Sequence, residues 1–251
     1  MILASSCLAI PLKKGRRHEV DSKKAGDVGF DYMHLVQEWP GSFCDTKKGC
    51  TWPKVEPTTG WLLHGLWPEF FNGSWPQYCD KGGRSYETAP TQDAPFNMSA
   101  IQDLLPELEK YWPSLVAPDQ SSFWEHEWLR HGTCAEKIFT APQKEHAYFR
   151  LVLDLREKFD VFKFLSAAGI NPGDTTTWAE AKEAMKKGYP YEVELGCNTD
   201  AQGSLQIFEV RSCYTATPGG GVSLFNCPNA ASATSCGTPN TPITFPPFHG
   251  R

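Results

Sequence analysis

The chain reads as an α+β protein: a single domain in which an antiparallel β-sheet packs with several helices and is held by disulfide bridges. Three observations predict this. Strand-like patterns open and close the chain while helical patterns fill its middle, the order of an α+β fold rather than of alternating βα units. At 251 residues with no internal repeat and no low-complexity linker, one large domain is the simplest organisation. Nine cysteines is a high count that suits an oxidising compartment.

The elements follow in order. Residues 1–27 read as an N-terminal tail or the remnant of a signal peptide: Met1–Leu12 is apolar and small, and the basic Lys13-Lys14-Gly15-Arg16-Arg17 follows it. The domain proper is expected over 28–248. Phe30–Trp39 has the mixed alternation of a strand, stopped by Pro40-Gly41. A stretch rich in Gly, Pro and aromatics then reads as loop through Pro95. Ser99 with Gln102 forms a capping-box pattern ahead of Ile101, Leu104, Leu105 and Leu108, and Ser122 with Glu125 opens a second helix that Gly132 would stop. Gln143–Ala168 is a long amphipathic stretch ended by Gly169, and Thr177 with Glu180 caps a helix ending at Gly188. Tyr191–Cys197, Leu205–Tyr214 and Val222–Cys227 are strand-like.

Eight cysteines, 44, 50, 79, 134, 197, 213, 227 and 236, lie in the domain, and Cys7 in the tail is left as the unpaired one. Eight cysteines allow 105 pairings, among which the sequence does not choose. No two of them show the two-residue gap of a zinc knuckle or ribbon, so bridges are favoured over a metal. Asn72-Gly73-Ser74 and Asn97-Met98-Ser99 are glycosylation sequons, in keeping with secretion. The formal charge of −5 argues against a basic coat that tracks a nucleic-acid backbone, though not against an enzyme that draws a few nucleotides into a local site. No run of eighteen apolar residues is present, so no membrane-spanning helix is expected.

Three of the seven histidines keep unusual company. His64 interrupts the apolar run Trp61-Leu62-Leu63-His64-Gly65-Leu66-Trp67-Pro68, where a lone histidine is more often a bonded core residue than a catalyst. The second group, His126-Glu127-Trp128-Leu129-Arg130-His131, sits on a helix, and Glu127 and His131, four apart, share a face. A zincin motif needs histidines four apart; His126 and His131 are five apart and point about 140° from each other, which disfavours a shared zinc. Two imidazoles, a carboxylate and a guanidinium suit cleavage of a phosphodiester by a neighbouring hydroxyl. One group takes a proton, one gives a proton, and the others stabilise the crowded anionic transition state. That chemistry works on RNA, whose 2′-hydroxyl is the nucleophile, and fails on DNA.

His64-Gly65-Leu66-Trp67-Pro68 and Phe123-Trp124-Glu125-His126-Glu127-Trp128-Leu129-Arg130-His131-Gly132-Thr133-Cys134 resemble the two active-site motifs of the ribonuclease T2 family, which includes plant S-like ribonucleases. Val36-Gln37-Glu38-Trp39-Pro40-Gly41-Ser42-Phe43-Cys44-Asp45 resembles the family's first strand and turn, and the similarity spans about residues 28 to 240. The resemblance implies that His64 is the general acid on the leaving 5′-oxygen and His131 the general base on the 2′-hydroxyl. Glu127 and Arg130 would stabilise the transition state, and His126 would hold phosphate. It implies bridges Cys44–Cys50, Cys79–Cys134, Cys197–Cys236 and Cys213–Cys227, and base pockets drawn from Gln37, Trp67, Glu69, Trp75, Ser114, Leu115 and Phe123. Of these, Trp67 and Phe123 flank the motifs and suit stacking on bases. Arg130 departs from the family's usual lysine, but a guanidinium keeps the charge and offers a planar fork to phosphate.

The expectation is therefore a monomeric, metal-independent endoribonuclease of single-stranded RNA with no cofactor. It would leave 2′,3′-cyclic phosphates and would be secreted or sent to a vacuole or lysosome. The competing readings are a non-catalytic binding or storage protein on the same fold and a metallohydrolase. Adding seven protons to the histidines would carry the formal charge from −5 to +2, so weak acid is expected to favour RNA binding and an optimum below neutrality.

Overall fold

The computed structural model describes residues 28–51, 60–87, 95–230 and 235–248. The N-terminal tail and Cys7 lie outside the described residues. Strands β1 (Tyr32–Glu38), β2 (Leu62–Glu69), β3 (Thr175–Thr177), β4 (Glu194–Thr199), β5 (Leu205–Thr217), β6 (Gly221–Phe225) and β7 (Pro242–Thr244) form one sheet. Its order is β2-β1-β5-β7-β3, with β4 and β6 also paired to β5. All pairings are antiparallel except the short parallel contact of β5 with β7. The helices are α1 (Pro40–Cys44), α2 (Leu105–Tyr111), α3 (Ser121–Arg130), α4 (Lys144–Lys158), α5 (Val161–Ala167) and α6 (Trp178–Gly188), with 3-10 segments at Met98–Leu104 and Gly132–Ile138. The α+β class and the four disulfides that the family resemblance implies are present: Cys44–Cys50, Cys79–Cys134, Cys197–Cys236 and Cys213–Cys227.

Several boundaries differ from the sequence expectation, each for a local reason. Asn97, not Ser99, caps the first helical segment by accepting from the Ser99 amide, and that segment begins as a 3-10 turn. Ser122 caps nothing, because α3 starts one residue earlier, at Ser121, whose amide and hydroxyl are both bound by Asp119. Gly132 does not end the chain's winding; it opens the following 3-10 segment, and the Trp128 ring occupies the space its Cβ would fill. The long amphipathic stretch is two helices, since Asp160 caps a new start by accepting from the Lys163 amide. The Thr177–Glu180 capping box forms as read. The loop expected through Pro95 holds β2, whose apolar run is too short to separate strand from core helix by pattern.

Strand β1 runs through the middle of the molecule and is buried along its whole length. Met33 and Leu35 face a core made with Leu63, Leu66, Trp112, Trp124, Trp128, Tyr148 and Phe149. The alternate residues His34 and Glu38 face the other way, where β5 contributes Glu209 and Arg211. One sheet face therefore packs on helices, and the opposite face sets His34, Glu38, Glu209 and Arg211 among the buried Tyr32, Val36 and Cys213.

Strand β2 departs from simple alternation. Val36 pairs with Gly65 and Gln37 with Leu63, so His64 is the extra residue of a β-bulge. In a regular strand His64 and Trp67, three apart, would lie on opposite faces. The bulge turns both to the face of Glu38 and Glu209, with ring centroids 4.9 Å apart, while Leu63 and Leu66 stay in the core.

Candidate active site

Helix α3 delivers its functional residues by ordinary helical spacing. Trp124, Glu127, Trp128 and His131 recur at i, i+3, i+4 and i+7 and form one buried stripe. Phe123, His126 and Arg130 lie on the adjoining, partly exposed face. The tryptophans explain how a carboxylate comes to be buried: they pack in the core and carry Glu127 in with them.

Core aromatics fix β2 against this helix. Trp112 Nε1 donates to the carbonyl of His64 at 2.8 Å, Trp124 Nε1 to the carbonyl of Trp112 at 2.8 Å, and Tyr148 Oη to the carbonyl of Leu66 at 3.0 Å. The bulge is thus braced on both sides of Gly65. A Cβ on Gly65 would overlap Glu127 Oε2 and Trp67 Nε1, so only glycine leaves room for these two to meet.

Trp67 lies at the centre of the site. Its Nε1 donates to Glu127 Oε2 at 2.9 Å, its ring stacks on His131 with centroids 5.2 Å apart, and His64 meets it edge-on. Phe123 stands 6.1 Å from the His64 ring. Arg130 Nε donates to Gln77 Oε1 at 3.1 Å beside this group, and His126 is exposed. The fold brings His64, Glu127, His131, Arg130, His126, Trp67 and Phe123 to one region.

The two imidazoles have opposite proton affinities. Burial alone would lower the pKa of His64, but Glu38 and the hydrogen bond that Nδ1 donates to Glu209 outweigh it and push the group up to about 9. His131 is held well below its ordinary value by burial, by Arg130 and by the nearby His126 and His64. Burial together with Arg130 and His64 also lowers His126. Burial raises Glu127 to about 7 despite His64 and the Trp67 hydrogen bond.

The residues assigned to base pockets divide. Trp75 is about half exposed on the loop after β2 and lines a cavity of about 300 Å³ with Phe70, Gln77 and Tyr86. Glu69 lies at the end of β2, 3.7 Å from the buried His34. Gln37 stands apart: it is fully buried on the other side of β1, donating to the Phe159 carbonyl at 2.7 Å. Ser114 and Leu115 are also buried. The Ser114 hydroxyl accepts the amides of Val116 and Ala117, and Leu115 packs with Leu62, Phe248 and the Cys44–Cys50 bridge.

Sequence reasoning missed Glu38, Glu209 and Arg211. His64 Nδ1 is 3.1 Å from Glu209 Oε1 and 3.4 Å from Glu38 Oε2, and Arg211 Nη2 holds Glu209 Oε2 at 2.7 Å. A signal for two of them existed: Glu209 and Arg211 are the charged residues of β5 and are two apart, hence on one face. Glu38, His64 and Glu209 bring donor atoms within 4.8 Å of one another, a spacing a cation can bridge, but the Nδ1 proton and Arg211 already supply positive charge there. His34 and Glu194 approach Cys213 and Cys227 as closely, but those sulfurs are joined to each other and offer no thiolate.

Imidazoles of opposite proton affinity, held side by side, could give a proton at one point and take one at another. Comparison with known proteins gives the class. The model of the Ribonuclease T2 family matches residues 30–227. Extracellular ribonuclease LE of Solanum lycopersicum is 37% identical over 223 residues, 87% of this chain and 88% of that one. Intracellular ribonuclease LX of the same species is 35% identical over 224 residues, 87% and 85% of the two chains. The crystal structure of RNase NT in complex with 5′-AMP matches with a TM-score of 0.72 and 36% identity, covering 87% of this chain and 99% of that one. The chain belongs to the ribonuclease T2 family, in its plant S-like group, and is a ribonuclease.

Proposed function

We propose that residues 28–248 form the catalytic domain of a metal-independent endoribonuclease. It would cleave single-stranded RNA by attack of the 2′-hydroxyl on the adjacent phosphorus, leaving a 2′,3′-cyclic phosphate and a free 5′-hydroxyl. The observation that carries this reading is the opposite proton affinity of the two imidazoles flanking Trp67. His131, neutral, takes the 2′-hydroxyl proton; its Nδ1 is buried without a hydrogen-bond partner, so Nε2 does the work. His64, cationic, gives a proton to the departing 5′-oxygen from Nε2, since Nδ1 is engaged by Glu209.

Arg130 and His126 lie on the less buried side of α3 near His131 and suit a phosphate. Glu127, with its pKa near 7, carries less than a full negative charge in weak acid, which lessens its repulsion of the phosphodiester. Trp67, Phe123 and the exposed Trp75 offer stacking surfaces, and Glu69 an acceptor, for bases. RNase NT binds 5′-AMP, which agrees with a nucleotide ligand for this cleft. Passage through the secretory route is supported by four disulfides, by exposed sequon asparagines at Asn72 and Asn97, and by a relative named as extracellular.

The test is digestion of single-stranded RNA with and without EDTA by the wild type, His64→Ala and His131→Ala. Cyclic-phosphate ends, activity retained in EDTA, no cleavage of DNA, and a loss of about 10²–10⁴-fold in each variant are expected. Activity abolished by EDTA, or variants as active as the wild type, would overturn the reading.

A further inference from the structure

Glu38 and Glu209 are direct partners across the antiparallel pair β1–β5, and both are almost fully buried. Like charges opposite each other destabilise a sheet, and burial makes this worse. The β2 bulge relieves this by bringing the His64 ring to both carboxylates, its Nδ1 within 3.1 Å of one and 3.4 Å of the other. Glu209 uses both oxygens, Oε1 toward His64 and Oε2 toward Arg211 at 2.7 Å. Glu38 Oε2 is buried and has no hydrogen-bond partner.

We propose that Glu209, clamped by Arg211 and backed by Glu38, is a positioning residue for His64. It fixes the ring with its proton on Nδ1 and turns Nε2 to the substrate. This rests on the reading of His64 as the general acid. A carboxylate on one imidazole nitrogen sets the tautomer and makes the other nitrogen more basic. The charged groups around the ring are Glu38 from β1, Glu209 and Arg211 from β5, and Glu127, His126, Arg130 and His131 from α3 and its end. Arg211 and His64 hold Glu209 ionised against its burial, its carboxyl pushed down to about 2, whereas burial lifts Glu38 to about 7. Glu209 is therefore the permanent anion of the pair, and Glu38 titrates near neutrality.

Two substrates separate this role from a structural one. In a dinucleotide the leaving 5′-oxygen needs a proton; in a nucleoside 3′-(4-nitrophenyl phosphate) the leaving group departs as a stable anion and needs none. Glu209→Gln is expected to lower kcat on the dinucleotide roughly tenfold or more, while changing KM little and sparing the nitrophenyl ester. The His64 ring, assigned by its loss in His64→Ala, should titrate by NMR well below 9 and nearer 6.5. Glu209→Asp should restore part of both. Glu38→Gln removes one of two facing carboxylates, so it folds even if Glu209→Gln does not, and it should also lower the His64 titration.

Equal loss on both substrates, or a His64 titration unmoved in these variants, would overturn the proposal. His64→Ala run alongside tells the two readings apart. If it loses both substrates equally, His64 is not the acid, whatever Glu209 does to the ring's titration.

Discussion

Trp67 Nε1 donates to Glu127 Oε2 across 2.9 Å, and this one bond joins the bulged strand β2 to the helix α3. Each partner comes from a different motif, 60 residues apart in sequence. The bond gives the buried carboxylate a donor, without which its burial would cost about 1–3 kcal/mol or more. It also holds the indole flat against His131, so the position of one imidazole depends on the strand that carries the other.

Gly65→Ala should break this joint. The added methyl overlaps Glu127 Oε2 and Trp67 Nε1, and the Gly65 backbone needs no glycine-only conformation. We expect a folded protein by circular dichroism with kcat lowered on the order of 100-fold, since a small misplacement of catalytic groups is enough for that.

The pH profile follows from the two imidazoles. On the proposed mechanism, turnover needs His64 protonated and His131 neutral. The rate should therefore fall as pH rises through about 9, where His64 loses its proton, and fall again as pH drops through the low pKa of His131. Between these limits kcat should change little. KM should rise toward alkaline pH as Glu127 becomes fully charged in a chain already at a formal −5 and repels RNA, and added salt should reduce that rise. Steady-state kinetics from pH 4 to 10 at two ionic strengths would check both limbs.

Arg130→Ala should do two separable things. Loss of a cation beside the phosphate should lower kcat by about tenfold or more. Loss of the same charge beside His131 removes one cause of its lowered pKa, so the acid limb of the profile should move to higher pH. Arg130→Lys, which keeps the charge but gives up the Gln77 bond, should leave the acid limb near its original position.

Outside the site, Glu145 is buried and accepts the Asn97 amide that leads into the first 3-10 segment. Burial raises its pKa to about 7, so the folded state favours the protonated form. Stability from this group is full below its unfolded value near 4.5 and is lost as pH rises through 7. Glu145→Gln keeps an acceptor and removes the charge. It should raise Tm above pH 7 by roughly 2–4 °C, about 1 kcal/mol for a chain of this size, and change little at pH 4. Thermal melts at the two pH values decide it.

Much of the site was legible in the sequence because α3 is a local element. The spacing of Trp124, Glu127, Trp128 and His131 puts them on one stripe whatever they pack against, and Thr177 with Glu180 writes a helix start in four residues. The α+β class follows from the order of such local elements along the chain. What the pattern could not hold was the bulge at His64. One unpaired residue on β2, fixed by its register against β1, decides that His64 and Trp67 share a face. Register is a relation between two strands and appears in neither alone.

The same holds for the carboxylates around His64. Resemblance selected Gln37, yet β1 turns Gln37 toward the Phe159 carbonyl and presents Glu38 to the imidazole. Glu209 enters from a strand 145 residues beyond His64. By itself the sequence determined which residues could exchange protons. Only the tertiary structure decided which imidazole holds its proton and which lacks it, because burial and neighbouring charge, not residue identity, set those affinities.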